Sequence, residues 1–188
     1  MTDARLVFDA SMFRGLMREL ARRGAGRRES GAFLLTDRDH PADRLPQPVT
    51  AIAYYDDLDP GCLTGAITFR ADGYTALAAR CRREGLRVVG DIHTHPSERV
   101  AQSRTDAANP MVALDGHVAL IAPRYASGVT DAGALGVYVR ESGGWFSSFG
   151  PQSAALVRIR THRLPRLRWA RLLTRRLAAG WKRLWRNS

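Results

Sequence analysis

Cysteine, lysine and long apolar runs are all scarce in this chain of 188 residues. Its two cysteines, Cys62 and Cys81, have no regular spacing, which excludes a disulfide framework and makes a reducing compartment the expected setting. The first residues show no secretory signal, and no apolar run approaches the ~20 residues that span a bilayer. We therefore expect a cytoplasmic protein.

Motifs of several enzyme classes are also missing. The chain lacks the His-Glu-x-x-His of zincin proteases, the His-x-Glu and Pro-Cys-x-x-Cys pair of zinc deaminases, and the phosphate-binding Gly-x-x-x-x-Gly-Lys-Ser/Thr. These classes of hydrolase are therefore excluded. His40, His117 and His162 stand apart from other ligand-type residues, and we interpret them as surface or hydrogen-bonded polar residues.

The net positive charge of the chain comes from one end. Residues 156–188 hold ten arginines, Lys182 and no acidic residue, so they carry +11, which is the formal charge of the whole chain. Residues 1–155 are therefore neutral, and Lys182 is the only lysine. Guanidinium groups are weakly hydrated bidentate donors that suit phosphates and carboxylates. The basic end is a candidate binding segment.

A compact set of potential metal ligands stands in the middle of the sequence, as His93-Thr94-His95-Pro96, six further residues, and Ser103-Arg104-Thr105-Asp106. The apolar run 88–92 predicts a buried strand that leads to the histidines. Because side chains alternate along a strand, His93 and His95 point to the same side. Pro96 cannot donate to a sheet ladder, so the strand should end there.

Ser103 and Asp106 complete this pattern. Ser103 is a typical helix N-cap, and Asp106 follows three residues later on the same helical face. Taken separately, His-x-His is usually incidental and Ser-x-x-Asp is commonly only a capping box. Together they offer two imidazoles and a carboxylate, which zinc accepts, and three protein ligands leave a fourth position for water. The joined pattern favours a catalytic metal site that performs hydrolysis.

These residues resemble the JAMM motif of MPN-type (JAB-domain) zinc metallopeptidases. Members of that family also have an upstream glutamate that opens an apolar strand, and Glu29-Ser30-Gly31-Ala32-Phe33-Leu34-Leu35-Thr36 is similar to that segment, although relatives usually have glycine where Ala32 and Thr36 stand. The resemblance covers roughly residues 5–150. It implies that His93, His95 and Asp106 bind one zinc ion. It also implies that Glu29 is the general acid/base and that Ser103 helps to hold the tetrahedral intermediate.

The resemblance further implies an isopeptidase or peptidase that cuts after the carboxyl terminus of a ubiquitin-like protein. Compact bacterial relatives occur in antiviral operons with activating- and conjugating-type enzymes, and such enzymes are the implied partners together with the ubiquitin-like protein or its conjugates. Other relatives process sulfur-carrier proteins, and such processing is the alternative function here. A second alternative is a noncatalytic MPN scaffold recruited by its basic tail, but scaffolds of that family lack the metal ligands, which are present in this sequence.

Asp91 shares the strand parity of the two histidines. Its carboxylate is a candidate to orient one of the imidazoles by a hydrogen bond without binding the metal itself, and a packing or surface role is the alternative interpretation.

The apolar patterning predicts an α/β fold, a three-layer-like sandwich around a mixed, curved β-sheet, and the family resemblance implies the MPN/JAB fold, which is similar to that of cytidine deaminases. The predicted elements are a helix capped by Ser11, a helix over 72–84, a polar loop over 36–48, and strands at 6–8, 32–35, 50–55, 66–69, 88–93, 117–122, 135–140 and 145–149. The first helix has an apolar stripe at helical spacing, formed by Met12, Phe13, Leu16, Met17 and Leu20.

We divide the chain into a metallopeptidase domain, residues 1–152, and a basic extension, residues 153–188. Pro165 is placed to begin a helix in which Trp and Leu side chains fall opposite most arginines. Such a helix suits an acidic protein or an anionic membrane surface, which would make the protein peripheral at the membrane. Contact with nucleic acid is less favoured, and packing of the apolar face against the domain is the structural alternative.

Overall fold

The computed structural model describes residues 3–142 and 144–161. The strands are β1 (Leu6–Asp9), β2 (Gly31–Asp37), β3 (Gln47–Pro48), β4 (Ala51–Tyr54), β5 (Leu86–Thr94), β6 (Val118–Ala122), β7 (Gly136–Glu141), β8 (Gly144–Ser148) and β9 (Val157–Arg160). The α-helices are α1 (Ala10–Gly24), α2 (Tyr55–Leu58), α3 (Ala71–Glu84), α4 (Arg104–Ala108) and α5 (Pro151–Leu156). Short 3₁₀ turns at Arg124–Ala126 and Ala132–Ala134 precede β7.

Two sheets organise these elements. The larger has six strands in the order β4-β2-β5-β6-β7-β8, and the smaller has three in the order β3-β1-β9. Within the larger sheet β5 and β6 run parallel, whereas the other neighbouring pairs are antiparallel. The larger sheet is therefore mixed, as the sequence predicts.

The larger sheet separates two apolar cores. Ala32 and Leu34 of β2 pack into a core with α1 and the smaller sheet, whereas Phe33 and Leu35 pack into a core with α3. This alternation is what a strand buried on both faces requires. The three layers confirm the predicted α/β sandwich, and the basic extension beyond Thr161 lies outside the described residues.

Helix α1 follows the predicted apolar stripe but begins earlier than expected. Phe13, Leu16 and Leu20 are buried on its inner face. The N-cap is Asp9, whose carboxylate accepts hydrogen bonds from the amides of Ser11 and Met12 at 2.7 and 3.4 Å. The prediction that Ser11 caps the helix is therefore wrong, because the first helical residue is already Ala10.

Two further predictions need correction. Residues 66–69 form no strand, and only an isolated bridge joins Leu63 to Ile67. The predicted loop over 36–48 contains β3, where Gln47 and Pro48 pair with β1. The apolar run over residues 66–69 meets no partner strand, whereas residues 47–48 join β1, which is distant in sequence.

The predicted domain boundary between residues 152 and 153 cuts through packed structure. Leu156 and Val157 are buried in the core beside α1, and β9 pairs in parallel with the whole of β1. The packed domain therefore continues to Arg160. The predicted helix from Pro165 lies outside the described residues. Among the residues that the structure describes, no helix is long and apolar enough to cross a bilayer.

Candidate metal centre

Strand β5 carries the two histidines to the end of the sheet. His93 pairs with Gly31 of β2 on one side and with Ile121 of β6 on the other. The strand ends at Thr94, as Pro96 predicts, and the amide of His95 still donates to the carbonyl of Ala122 at 2.8 Å. The Nε2 atoms of His93 and His95 lie 3.2 Å apart. The predicted parity therefore brings the two imidazoles together.

Asp106 reaches the same point from α4. Ser103 is the N-cap of that helix, and its hydroxyl oxygen accepts from the amide of Asp106 at 3.1 Å while the Asp106 carboxylate accepts from the amide of Ser103 at 2.8 Å. This capping box turns Asp106 back toward the strand. Its Oδ2 lies 3.8 Å from Nε2 of His93 and 3.5 Å from Nε2 of His95.

These three side chains form a group that could hold a metal ion, because their donor atoms all lie within 4.8 Å of one another. Donor atoms bound to a tetrahedral zinc ion at ~2.0–2.2 Å lie about 3.3–3.6 Å apart. The three observed separations, 3.2, 3.5 and 3.8 Å, bracket that range. The donor set therefore fits a single small cation.

The ring orientation of His95 is also suited to a ligand. Its Nδ1 lies 2.9 Å from the carbonyl oxygen of Arg99, which can only accept a hydrogen bond, so Nδ1 carries the proton. In the neutral ring Nε2 then presents its lone pair to His93. Two nitrogens at 3.2 Å need a proton or a cation between them. Fixing the far nitrogen in this way is typical of metal-binding histidines.

Asp106 and His95 each change the other's pKa. Hydrogen bonding to Asp106 raises the pKa of His95 despite the opposing effect of burial, and the Arg99 carbonyl raises it further. Burial alone would raise the pKa of Asp106, but the facing imidazoles and Ser103 hold it well below its usual range. Asp106 is therefore an ionised acceptor at neutral pH, as a ligand must be.

Glu29 lies two residues before the start of β2 and lines the same cavity as the three ligand-type residues. Its amide donates to the carbonyl of Gly65 at 2.9 Å, and the next residue, Ser30, exchanges hydrogen bonds with Thr94. The glutamate backbone is thus tied to the strand that carries the histidines. Burial raises the pKa of Glu29, and His93 and His95 only partly oppose this shift.

Two residues beyond Glu29, glycine is required by packing. The ring of Tyr55 covers Gly31, where an added Cβ would overlap the ring and lie 2.7 Å from the carbonyl oxygen of Ile92. A side chain at position 31 would therefore push β2 away from β5. The start of β2, and with it Glu29, depends on this close approach.

The cavity has a volume of about 660 Å³. Apart from the five predicted site residues, its lining is mixed. The apolar side chains are Ala66, Ile67, Pro96, Ala101, Pro110, Met111, Ala119 and Trp145, and the polar ones include Gln102 and Asn109, with Arg99 and Arg104. The structure therefore brings all five predicted site residues to one cavity.

Asp91 does not orient either predicted ligand. Its carboxylate accepts from Tyr55 at 3.2 Å and lies 2.6 Å from Nε2 of His117. His117 is buried and hydrogen-bonded rather than at the surface. Sequence parity placed Asp91 on the correct face, but nothing in the sequence indicated that His117 is its partner.

Comparisons with known proteins address the fold. No protein-family model matches the chain. A solution structure of a protein from Desulfitobacterium hafniense is similar, with a TM-score of 0.55 and 16% identity over 85% of this chain and 97% of that chain. A solution structure of a protein from Salinibacter ruber has a TM-score of 0.52 and 18% identity over 84% of this chain and 92% of that one.

A more distant structure is the crystal structure of a JAB1/MPN domain protein from Archaeoglobus fulgidus. Its TM-score is 0.39, with 14% identity over 80% of this chain and 98% of that chain. At these identities the first two likenesses show a shared α/β fold alone, and the third supports no further conclusion.

Proposed function

We propose that the protein is a zinc-dependent hydrolase of the JAMM/MPN metallopeptidase type. The observation that carries this proposal is the convergence of His93, His95 and Asp106 within 4.8 Å of one another, in the cavity that Glu29 also lines. The resemblance of the same four residues to the JAMM motif supports it independently. A complete ligand set favours an enzyme over a noncatalytic scaffold.

Two neutral imidazoles and one carboxylate form a ligand set of a catalytic zinc site. A zinc ion held by them supplies Lewis-acid polarisation of a carbonyl group and activation of water near neutral pH. The protein's own contribution is to hold the donors. His95 is oriented by the Arg99 carbonyl and Asp106 by the capping box.

Glu29 is the proposed general acid/base. It accepts a proton from the attacking water and returns a proton to the leaving amine, and such catalysis typically contributes ~10²–10⁴-fold. Its raised pKa, caused by burial, brings the carboxyl closer to neutral pH and so suits it to both steps.

Ser103 is the proposed oxyanion donor. Its oxygen accepts from the amide of Asp106, and its hydroxyl can rotate to donate to an oxyanion in the cavity that it lines. A donor aimed at the oxyanion stabilises the transition state more than the substrate.

The proposed substrate is the carboxyl-terminal tail of a ubiquitin-like protein, cleaved at a peptide or isopeptide bond. An extended tail suits a cavity with apolar walls such as Ile67, Met111 and Trp145. In this proposal the partners are the ubiquitin-like protein or its conjugates and the enzymes that attach it. Maturation of a sulfur carrier with a terminal Gly-Gly is the alternative use of the same chemistry.

The test combines metal analysis with cleavage of defined fusions. Wild-type protein, Glu29→Gln, His95→Ala and the control Glu84→Gln are incubated with ubiquitin-like and sulfur-carrier proteins that carry a linear or isopeptide-linked extension. We expect Glu29→Gln to keep its zinc and lose about 10²–10⁴-fold in kcat, because only the proton-transfer group is changed. His95→Ala should lose the metal, and Glu84→Gln should match the wild type. Undiminished cleavage by Glu29→Gln would contradict the assigned role.

A further inference from the structure

Asp106 is carried by a helix that cannot hold its own position. Helix α4 has five residues, and none of them is buried. A helix this short is not stable in water without outside support. The capping box joins Ser103 to Asp106 but does not attach either residue to the sheet. The position of Asp106 therefore depends on how the preceding loop, residues 97–102, is fastened.

Tyr138 of β7 fastens that loop. Its hydroxyl donates to the carbonyl oxygen of Val100 at 3.0 Å and accepts from the amide of Gln102 at 2.9 Å. The side chain is only 4% exposed, and its ring packs edge-on against Trp145 and Phe149. A rigid, buried hydroxyl thus holds two points of a loop that has no regular secondary structure.

The two hydrogen bonds of Tyr138 are each made to a residue adjacent in sequence to one that orients a proposed metal ligand. Arg99, whose carbonyl orients His95, immediately precedes Val100. Gln102 immediately precedes Ser103, the cap that turns Asp106 toward the histidines. We propose that Tyr138 is a positioning residue for the metal centre, because its hydroxyl holds the loop that orients His95 and places Asp106. This inference rests on the proposed zinc-dependent function.

Gly136 lies two residues before Tyr138 on β7, and its lack of a side chain lets the backbone of the loop approach the strand closely. An added Cβ at this position would overlap the carbonyl oxygen of Val100 and lie 3.1 Å from the Tyr138 ring. The loop backbone therefore lies directly on β7 at Gly136. A side chain at position 136 should push the loop away from β7, and loss of the Tyr138 hydroxyl should release it. Both changes should weaken zinc binding.

The decisive variant is Tyr138→Phe in the full-length chain. It keeps the ring contacts and removes both hydrogen bonds. The zinc dissociation constant is measured by competition with a chelator, and thermal unfolding is measured on the metal-free protein. We expect zinc binding to weaken about 10–100-fold, which is typical when a group that supports a metal ligand is removed. Gly136→Ala should weaken it in the same direction.

Tyr54→Phe is the matched control. Tyr54 is partly buried, its hydroxyl has no hydrogen-bond partner among the described residues, and its ring contact with Arg23 survives the change. We expect its zinc affinity to equal that of the wild type. The nitrogen NMR signals of the His95 ring give an independent readout without metal, since the loss of loop order in Tyr138→Phe should weaken the Nδ1 hydrogen bond.

The outcomes separate this inference from the proposed function. Wild-type protein that binds zinc, together with Tyr138→Phe and Gly136→Ala that bind it equally well, would overturn the positioning role and leave the function standing. A merely structural role would lower the unfolding temperature of the metal-free variants without changing zinc affinity, and this result would also overturn it. Failure of the wild type itself to bind zinc would overturn both.

Discussion

Oδ1 of Asp91 lies 2.6 Å from Nε2 of His117, both side chains are almost completely buried, and Asp91 lines the cavity of the candidate metal centre. Tyr55 supplies the second hydrogen bond to the carboxylate at 3.2 Å. The same tyrosine ring covers Gly31, close to Glu29. This buried network therefore joins the strand that carries the histidines to the start of the strand that follows the proposed acid/base.

The network predicts that His117→Ala destabilises the protein by about 3–5 kcal/mol, because the buried Asp91 carboxylate would lose its closest partner. The free energy of unfolding in urea gives the measurement. His40→Ala is the control and should change stability by less than about 1 kcal/mol, since the buried Nε2 of His40 has no hydrogen-bond partner within the described part of the chain. Equal stabilities of the two variants would contradict the prediction.

The packing of Gly31 against Tyr55 predicts that Gly31→Ala lowers stability by about 1–3 kcal/mol, because the added methyl group overlaps the ring. Turnover should also fall, since Glu29 moves with the start of β2. Gly15→Ala is the matched control. A Cβ at Gly15 meets no atom within 4 Å, and this partly exposed helical site should gain about 0.5–1 kcal/mol. Urea unfolding and steady-state kinetics distinguish the two substitutions.

The surface of α1 predicts a pH-dependent contribution to stability. Hydrogen bonding to Arg22, reinforced by Arg23, lowers the pKa of Glu19 to about 2 despite burial. A carboxyl with a lowered pKa in the folded protein stabilises it above its unfolded value, near ~4.3, and this contribution is lost as the pH falls toward the folded value. Glu19→Gln should therefore cost about 1 kcal/mol at pH 7.

Urea unfolding of the wild type and Glu19→Gln across the acid range provides the measurement. The difference between the two proteins should narrow as the pH falls below ~4.3 toward the folded pKa of about 2. Glu98→Gln, which removes an exposed ion pair with Arg124, should show a smaller difference. A difference for Glu19→Gln that does not vary with pH would refute the assignment.

The pairing of β9 with β1 predicts where the chain can be shortened. A protein that ends at Gln152 loses β9 and the buried side chains of Leu156 and Val157, at a cost of about 3–6 kcal/mol at ~1.5–3 kcal/mol for each side chain. A protein that ends at Thr161 should keep the stability and zinc content of the full chain. Thermal unfolding and metal analysis of both truncations decide the point, and equal stability of the two would place the boundary at residue 152.

Local patterns in the sequence predicted much of the architecture. The stripe Phe13, Leu16 and Leu20 predicted the buried face of α1, and the apolar run over residues 32–35 predicted strand β2. Such patterns succeed because the neighbours in question are close in sequence. The prediction of a strand over residues 66–69 was wrong, because an apolar run does not show whether a partner strand is available.

Candidate site residues were predictable where their geometry is local. Parity along β5 placed His93 beside His95, Pro96 ended the strand, and Ser103 capped the helix that bears Asp106. The residues that hydrogen-bond to the loop and to Asp91 were not predictable. Tyr138 lies more than thirty residues beyond the loop that it fastens, and His117 lies 26 residues beyond Asp91.

By itself the sequence determined the ligand types, their spacing, and the secondary structures that present them, because these follow from backbone geometry over a few residues. Only the tertiary structure decided that the two imidazoles and the carboxylate meet, that Glu29 enters the same cavity, and that β9 returns to β1. These relationships join segments far apart in the chain, and their distances depend on how whole layers pack rather than on any local preference.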